Sequence, residues 1–269
     1  MPDFLVIGAV KAGTTTLYHW LNAQPDVHMS TKKETQFFDK HWERGTGWYS
    51  EFFTDARADQ LVGEASPQYS NLEGGGRAAS RIAELLPDAR LVYVVRHPID
   101  RLLSEYRYNR QRKIVGGSLL EHQRDRLVGS SCYHARLLPY IDRFPRSQIC
   151  LVRFEDMISV DGTGWNQILR ALDLPERPSP GTVHNRTATY PTATPMTRRL
   201  SSARRRLGLP RPPAAVRTAF ARKRVGTYVD PVTEEDLPAL DKVSPQIWDD
   251  VARLEAWLQV SEPLWPRSS

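Results

Sequence analysis

Cysteine is nearly absent from this chain: Cys132 and Cys150 are the only two in 269 residues. They do not form a C-x-x-C pair, so neither a disulfide framework nor a cysteine-based metal site is indicated, and two buried thiols are the expectation. Long apolar runs are missing as well. No stretch approaches the roughly 20 apolar residues that span a bilayer. A strand-like run begins at Phe4, which leaves no space for the charged and apolar regions of a secretory signal, so a soluble cytoplasmic protein is expected. Acidic residues are absent from Arg186 to Arg224, and the whole chain carries 37 Lys and Arg against 31 Asp and Glu, a net charge of +6. That balance favours an anionic ligand or partner without naming one. What is present is a hydrophobic content of 40%, enough for a real core, and we read residues 1–269 as a single domain.

Periodicity gives a coarse map. Phe4 to Val10 is a continuous apolar run of strand length, and Thr14 to Ala23 follows as a helix with Leu17, Trp20 and Leu21 on its buried stripe. Further strands are expected at Val27–Ser30, Leu61–Ala65, Arg90–Val95 and Gln148–Phe154, and further helices from Gly74 to Leu86, Ile99 to Arg112, Tyr133 to Phe144 and Trp165 to Leu172. Strands that alternate with helices make an α/β fold: a three-layer sandwich of the P-loop, nucleotide-kinase-like kind, with a central parallel sheet flanked by helices. Ligands in such sheets bind beyond the carboxyl ends of the strands. The core spans residues 4–174. From 175 to 230 the chain is rich in proline and arginine and reads as a surface excursion, and 231–260 brings C-terminal helices, with Thr233-Glu-Glu-Asp starting one and Ile247 to Leu258 forming the last.

Two segments carry chemistry. In Gly8-Ala-Val-Lys11-Ala-Gly13-Thr14-Thr15-Thr16 a buried strand delivers a lysine and a permissive glycine to a helix N-terminus, where backbone N–H groups and hydroxyls can cradle an anion. The lysine stands two residues before Gly13. In the nucleotide-triphosphatase loop G-x-x-x-x-G-K-[ST] it follows the second glycine, so a different ligand is expected. The second segment is Arg96-His-Pro-Ile-Asp-Arg-Leu-Leu-Ser104, a cation at a strand end with a hydroxyl about two helical turns further on. An arginine at a strand end is commonly a surface salt bridge, but both segments fall at carboxyl ends of one plausible sheet.

Together these segments resemble the sulfotransferases that use 3′-phosphoadenosine 5′-phosphosulfate (PAPS), in particular the carbohydrate, heparan-type and bacterial branches. Lys33-Glu-Thr-Gln-Phe-Phe-Asp39, Gly63-Glu-Ala-Ser-Pro-Gln-Tyr69 and Phe154-Glu-Asp-Met157 are similar to further blocks of that family. The resemblance implies that Lys11, Ala12, Gly13, Thr14, Thr15 and Thr16 hold the 5′-phosphosulfate and that Arg96 and Ser104 hold the 3′-phosphate. It implies that Arg222, Lys223, Arg224 and Gly226 close over the donor, that Lys11 and Glu34 are catalytic, and that no metal is required. The product would be adenosine 3′,5′-bisphosphate, and the acceptor a hydroxyl, less readily an amine, of a glycan or small metabolite.

Each assignment has a plainer counterpart. Glu34, beside Lys32 and Lys33, is otherwise a solvated charge; as a base it would have its pKa raised towards neutrality by partial desolvation. His97 is a second candidate base, Glu64 either positions Lys11 or substrate or serves structure, His19 packs beside Trp20, and Tyr133 matches a family position without a derivable role. The acceptor pocket is expected in the loops Trp42–Tyr49, Ile114–Ser131 and Val183–Pro195, where Trp42, Trp48 and Tyr49 either stack on an acceptor or belong to the core. Two rivals remain: a P-loop small-molecule kinase or nucleotide triphosphatase, which needs the other lysine order and an acid at a later strand end, and a nonenzymatic nucleic-acid or anion binder using the arginine-rich stretch. That stretch lacks interleaved aromatics for base stacking, so no nucleic-acid partner is expected.

Overall fold

The computed structural model describes residues 1–111, 124–184 and 237–266. Among the described residues five strands form one all-parallel sheet: β1 (Phe4–Gly8), β2 (Val27–Met29), β3 (Leu61–Ala65), β4 (Arg90–Val95) and β5 (Ile149–Arg153), in the order β2-β3-β1-β4-β5. A parallel strand with both faces covered has no polar side, and β1 is buried at all five positions. It lies between β3, with Phe4 opposite Gly63, and β4, with Val6 opposite Val92. Beyond β4, Val95 stands opposite Arg153 at the end of β5.

Helices cover both faces. Among the described residues the α-helices are α1 (Thr14–Asn22), α2 (Phe37–Lys40), α3 (Gly45–Ser50), α4 (Gly75–Leu85), α5 (Pro98–Gln111), α6 (Arg124–Gly129), α7 (Tyr133–Ile141), α8 (Phe154–Met157), α9 (Thr163–Ala171) and α10 (Leu237–Leu258). On one face α1 meets α9, where the buried Trp20 and Trp165 rings pack edge to face at 5.6 Å. On the other, α7 lies between α4 and α10. The chain leaving β1 thus enters one layer, whereas the chain leaving β3 and β4 enters the other. Loops that part to opposite sides open a crevice at the carboxyl edge of the sheet, where ligands of such folds bind.

The expected strands all form, within two residues at each end. The last helix is longer than expected, running from Leu237 through Pro245 to Leu258; the start expected at Thr233 lies outside the described residues. The Trp42–Tyr49 segment is helical rather than a loop. Tyr49 is fully buried and stacks on Phe37 at 4.3 Å, and the half-buried Trp42 and Trp48 pack against the same core, so these rings are engaged by the core rather than lining the cleft. Burial pushes the Cys132 thiol up to about 11 and Cys150 to about 12; both stay protonated near neutrality and neither is a thiolate nucleophile.

Candidate active site

The segment expected to cradle an anion follows the end of β1. Gly13 is the N-cap of α1 at φ 93°, in the left-handed region, and supplies no side-chain cap. The first N–H groups of an α-helix have no intrahelical acceptor, so the start of α1 presents donors towards the crevice with no acid in its first turn. A second constraint holds Gly13: a Cβ there would overlap the ring of Phe154, the first residue after β5. Lys11 also has a left-handed backbone, φ 69°, and its Nζ lies 4.3 Å from the centre of the Tyr108 ring on α5.

Arg96 follows β4 directly, beside the cradle because β4 and β1 are hydrogen-bonded neighbours. Its backbone is fixed by Tyr133, whose buried hydroxyl donates to the Arg96 carbonyl at 2.6 Å and accepts the Arg96 N–H at 3.3 Å. Burial keeps the Tyr133 phenol protonated, with its pKa raised. This is the role the sequence left open for Tyr133. The Arg96 guanidinium lies over the Phe154 ring at 5.7 Å, so one aromatic side chain knits together the segments that follow β1, β4 and β5. The other arginine of this motif, Arg101, has a different task. It is fully buried and reaches Ser131 Oγ, the Leu127 carbonyl and Glu105 at 2.8, 2.9 and 2.7 Å, tying α5 to α6. A planar fork with fixed donors suits three partners in three directions.

A cleft of 1510 Å³ collects these parts. Lys11, Gly13, Thr14, Thr15, Glu34, Arg96 and Ser104 all line it. Ala12 and Thr16 do not: Ala12 is fully buried, and the Thr16 hydroxyl accepts the His184 N–H at 3.0 Å. Thr16 therefore fastens the segment ending at His184 onto α1, with Trp20 Nε1 donating to the Thr182 carbonyl at 2.8 Å as a second fastening. The ring of His19 lies 4.4 Å from that of His184. Arg222, Lys223, Arg224 and Gly226 lie outside the described residues.

Glu34 sits in the cleft at φ 64°, and its N–H donates to the carbonyl of Ala65 at the end of β3. Burial pushes its carboxyl up, but Lys33 at 2.5 Å, the Gln68 amide at 2.8 Å and the charge of Lys40 outweigh burial and hold the pKa below the usual glutamate value. The raised pKa expected from partial desolvation is not found, because the desolvating loop brings its own cations. Glu64 is structural. It is fully buried and accepts hydroxyls from Thr35, Tyr49, Ser66 and Tyr69. Burial leaves its pKa raised although those four hydroxyls act the other way. Through Thr35 and Ser66 it clamps the two loops that flank Glu34. His97 does not line the cleft; it packs among Trp248 and Trp265 while its N–H donates to Glu155.

Of the three loops expected around an acceptor, 42–49 does not line the cleft; Ile114–Ser131 reaches it at Asp125, Arg126 and Ser130, and Val183–Pro195 at Val183 and His184, while residues 114–123 and 185–195 lie outside the described residues. Sequence reasoning missed a further part of the lining, built by Asp39, Lys40, Gln68, Asn71, Gly74 and Arg77. Its signal was the Pro67-Gln68 turn directly after β3. Among the described residues, no helix is long and apolar enough to cross a membrane.

Known proteins share this design. A model of the sulfotransferase family matches residues 49–178. The chain is 35% identical over 114 residues to the membrane-associated sulfotransferase kil1 of Dictyostelium discoideum, a match covering 41% of this chain and 24% of that protein. It is also 35% identical over 105 residues to human heparan sulfate glucosamine 3-O-sulfotransferase 6, covering 39% and 30%. The matches thus span about a quarter to a third of the length of these curated relatives. In architecture it resembles a sulfotransferase from Alicyclobacillus acidocaldarius (TM-score 0.66, 21% identity, 99% of both chains). It likewise resembles mouse sulfotransferase SULT7A1 complexed with PAP (TM-score 0.52, 15% identity, 94% of this chain and 87% of that one); at such identities these two speak for the fold alone. The kinase alternative expected an acid where β4 ends, and Arg96 stands there. The matched segment, residues 49–178, and the shared fold support a sulfotransferase family for this chain.

Proposed function

We propose that this chain, as a single domain, transfers the sulfuryl group of PAPS to a hydroxyl, less readily an amine, of a carbohydrate or small-metabolite acceptor in the cytoplasm. One observation carries the reading: an uncapped helix N-terminus with Lys11 and a second cationic segment with Arg96 and Ser104 open into the same cleft from neighbouring strands. Two anion sites side by side suit a nucleotide charged at both its 5′ and 3′ positions. The mouse neighbour in complex with PAP and the heparan sulfate name of one relative support the donor and the glycan acceptor respectively.

In the transfer the bond between sulfur and the 5′-phosphate oxygen breaks and a bond from sulfur to the acceptor oxygen forms, leaving adenosine 3′,5′-bisphosphate. Lys11 and the first N–H groups of α1 neutralise the charge that grows on the departing phosphate, a contribution on the order of 3 kcal/mol for a well-aimed donor. Thr14 and Thr15 orient that end, and Arg96 and Ser104 hold the other. The acceptor hydroxyl gives its proton to Glu34, which is ionised near neutrality because its pKa is held low. The basic residues 222–224 belong to this proposal as a cover over the donor.

The test is titration calorimetry with adenosine 3′,5′-bisphosphate and with ATP, then transfer of labelled sulfate from PAPS to a panel of acceptors. Binding of the bisphosphate at least tenfold tighter than ATP is expected. Tight ATP binding with no affinity for the bisphosphate overturns the reading. Lys11→Ala should abolish transfer while the fold persists.

A further inference from the structure

The part of the cleft lining that carries Gln68 contains an unmet acceptor. Gln68 Nε2 donates to Glu34 Oε2 at 2.8 Å, while Gln68 Oε1 is buried and has no hydrogen-bond partner. The amide cannot be turned round: an ionised carboxylate only accepts, so the NH₂ must face Glu34 and the carbonyl must face away. A buried carbonyl without a partner is unfavourable, and native structures keep few of them. Gln68 lines the same cleft as Lys11 and Glu34.

The pair is held from several sides. Lys33 occupies the other oxygen of Glu34, so the carboxylate is gripped at both ends. The Glu34 N–H bonds the Ala65 carbonyl and the Gln36 N–H bonds Ser66 Oγ, joining the Glu34 loop to the turn that carries Gln68. Glu34 and Gln36 both adopt left-handed backbones, at φ 64° and 55°. Such conformations persist in non-glycine residues only where surroundings impose them. This carboxylate and amide form a preorganised unit rather than two loop side chains in chance contact.

We propose that Gln68 is a positioning and acceptor-recognition residue. Its NH₂ fixes the direction of the Glu34 carboxylate, and its carbonyl receives an O–H or N–H of the acceptor adjacent to the hydroxyl that Glu34 deprotonates. The acceptor then carries two neighbouring hydrogen-bond donors, as a vicinal diol or an amino alcohol does, and a lone hydroxyl on an apolar skeleton is disfavoured. This rests on the sulfuryl-transfer reading with Glu34 as base.

Gln68→Leu and Gln68→Met remove both polar functions at similar volume. Three measurements separate the roles. Calorimetry with adenosine 3′,5′-bisphosphate should give unchanged affinity. Titration of the Glu34 carboxyl by ¹³C NMR should move to higher pH, since one of the hydrogen bonds that lowers its pKa is gone. With labelled sulfate and a panel of amino-sugar, diol and simple-alcohol acceptors, kcat/KM should fall about tenfold for the first two classes and little for the third. An unmoved Glu34 midpoint overturns the proposal, as does an equal loss for all three classes together with weakened bisphosphate binding, which marks a structural role. If the wild type binds bisphosphate but sulfates none of these probes, the NMR midpoint decides. If it binds no bisphosphate, the underlying reading fails and takes the proposal with it.

Discussion

Tyr133→Phe isolates the support of Arg96 from the packing around it. The ring of Tyr133 is fully buried and stays in place; only the hydroxyl is lost, and with it the 2.6 Å bond to the Arg96 carbonyl and the 3.3 Å bond from the Arg96 N–H. The shorter bond dominates. Leaving one part-buried carbonyl without a donor costs about 1–3 kcal/mol, and the long N–H contact adds little. For a chain of this size each kcal/mol lowers Tm by about 2–4 °C, so a fall of about 2–12 °C is expected in thermal unfolding followed by circular dichroism. A second readout follows from what the hydroxyl holds. Arg96 leaves the sheet at the end of β4, and without its backbone anchor its guanidinium loses its fixed position. Affinity for adenosine 3′,5′-bisphosphate should drop about tenfold, equivalent to about 1.4 kcal/mol, with ATP affinity changed far less. A variant with a Tm within 1 °C of wild type and unaltered bisphosphate affinity refutes the reasoning on both counts. A fall in Tm alone refutes the link from Tyr133 to the ligand.

Gly13→Ala forces a Cβ into the Phe154 ring at a left-handed φ of 93°; a stability loss of about 2–4 kcal/mol by denaturant titration is expected, with bisphosphate binding lost, and a variant that binds normally sinks the cradle. Lys33→Ala tests the electrostatics of Glu34. A base fails as it protonates, so activity falls as pH drops through its pKa. Lys33 lowers that pKa, so its removal should move the acid limb of the pH–rate profile to higher pH, and an unmoved limb excludes Glu34 as the titrating base. Arg101→Ala strands Glu105 without its buried partner and should cost about 3–5 kcal/mol in urea unfolding; Arg101→Lys should recover only part of this, and a loss under 1 kcal/mol contradicts the buried-fork account.

The strands and the turn from β1 into α1 were legible because their signals are contiguous. An apolar run such as Phe4–Gly8 or Leu91–Val95 has one comfortable environment, and Lys11, Gly13 and the following threonines are neighbours in the chain as well as in space. Contacts between distant segments were not legible. Nothing near Glu64 announces that Tyr49 and Tyr69 come to it, so its strand-end position left a cleft role and a structural role equally open. Trp42, Trp48 and Tyr49 were ambiguous for the same reason, since an aromatic cluster looks alike in sequence whether it faces Phe37 or a ligand. The partner of Thr16 was not legible either: one residue past Thr15, its hydroxyl accepts the N–H of His184, 168 positions away in the chain.

The adjacency of β1 and β4 makes the sheet a gauge. Main-chain hydrogen bonds set neighbouring strands about 4.8 Å apart, so the segments carrying Lys11 and Arg96 leave the fold at a separation that no side chain controls. Point mutations in either segment can tighten or loosen its own grip, but they cannot move the two grips apart. On the proposed function, a ligand whose charge runs in a single string would engage one of them, while a ligand branched to either side of its sugar would span both. Changing that preference would require inserting or re-pairing a strand, which is a far larger evolutionary step than reshaping the wall around Gln68.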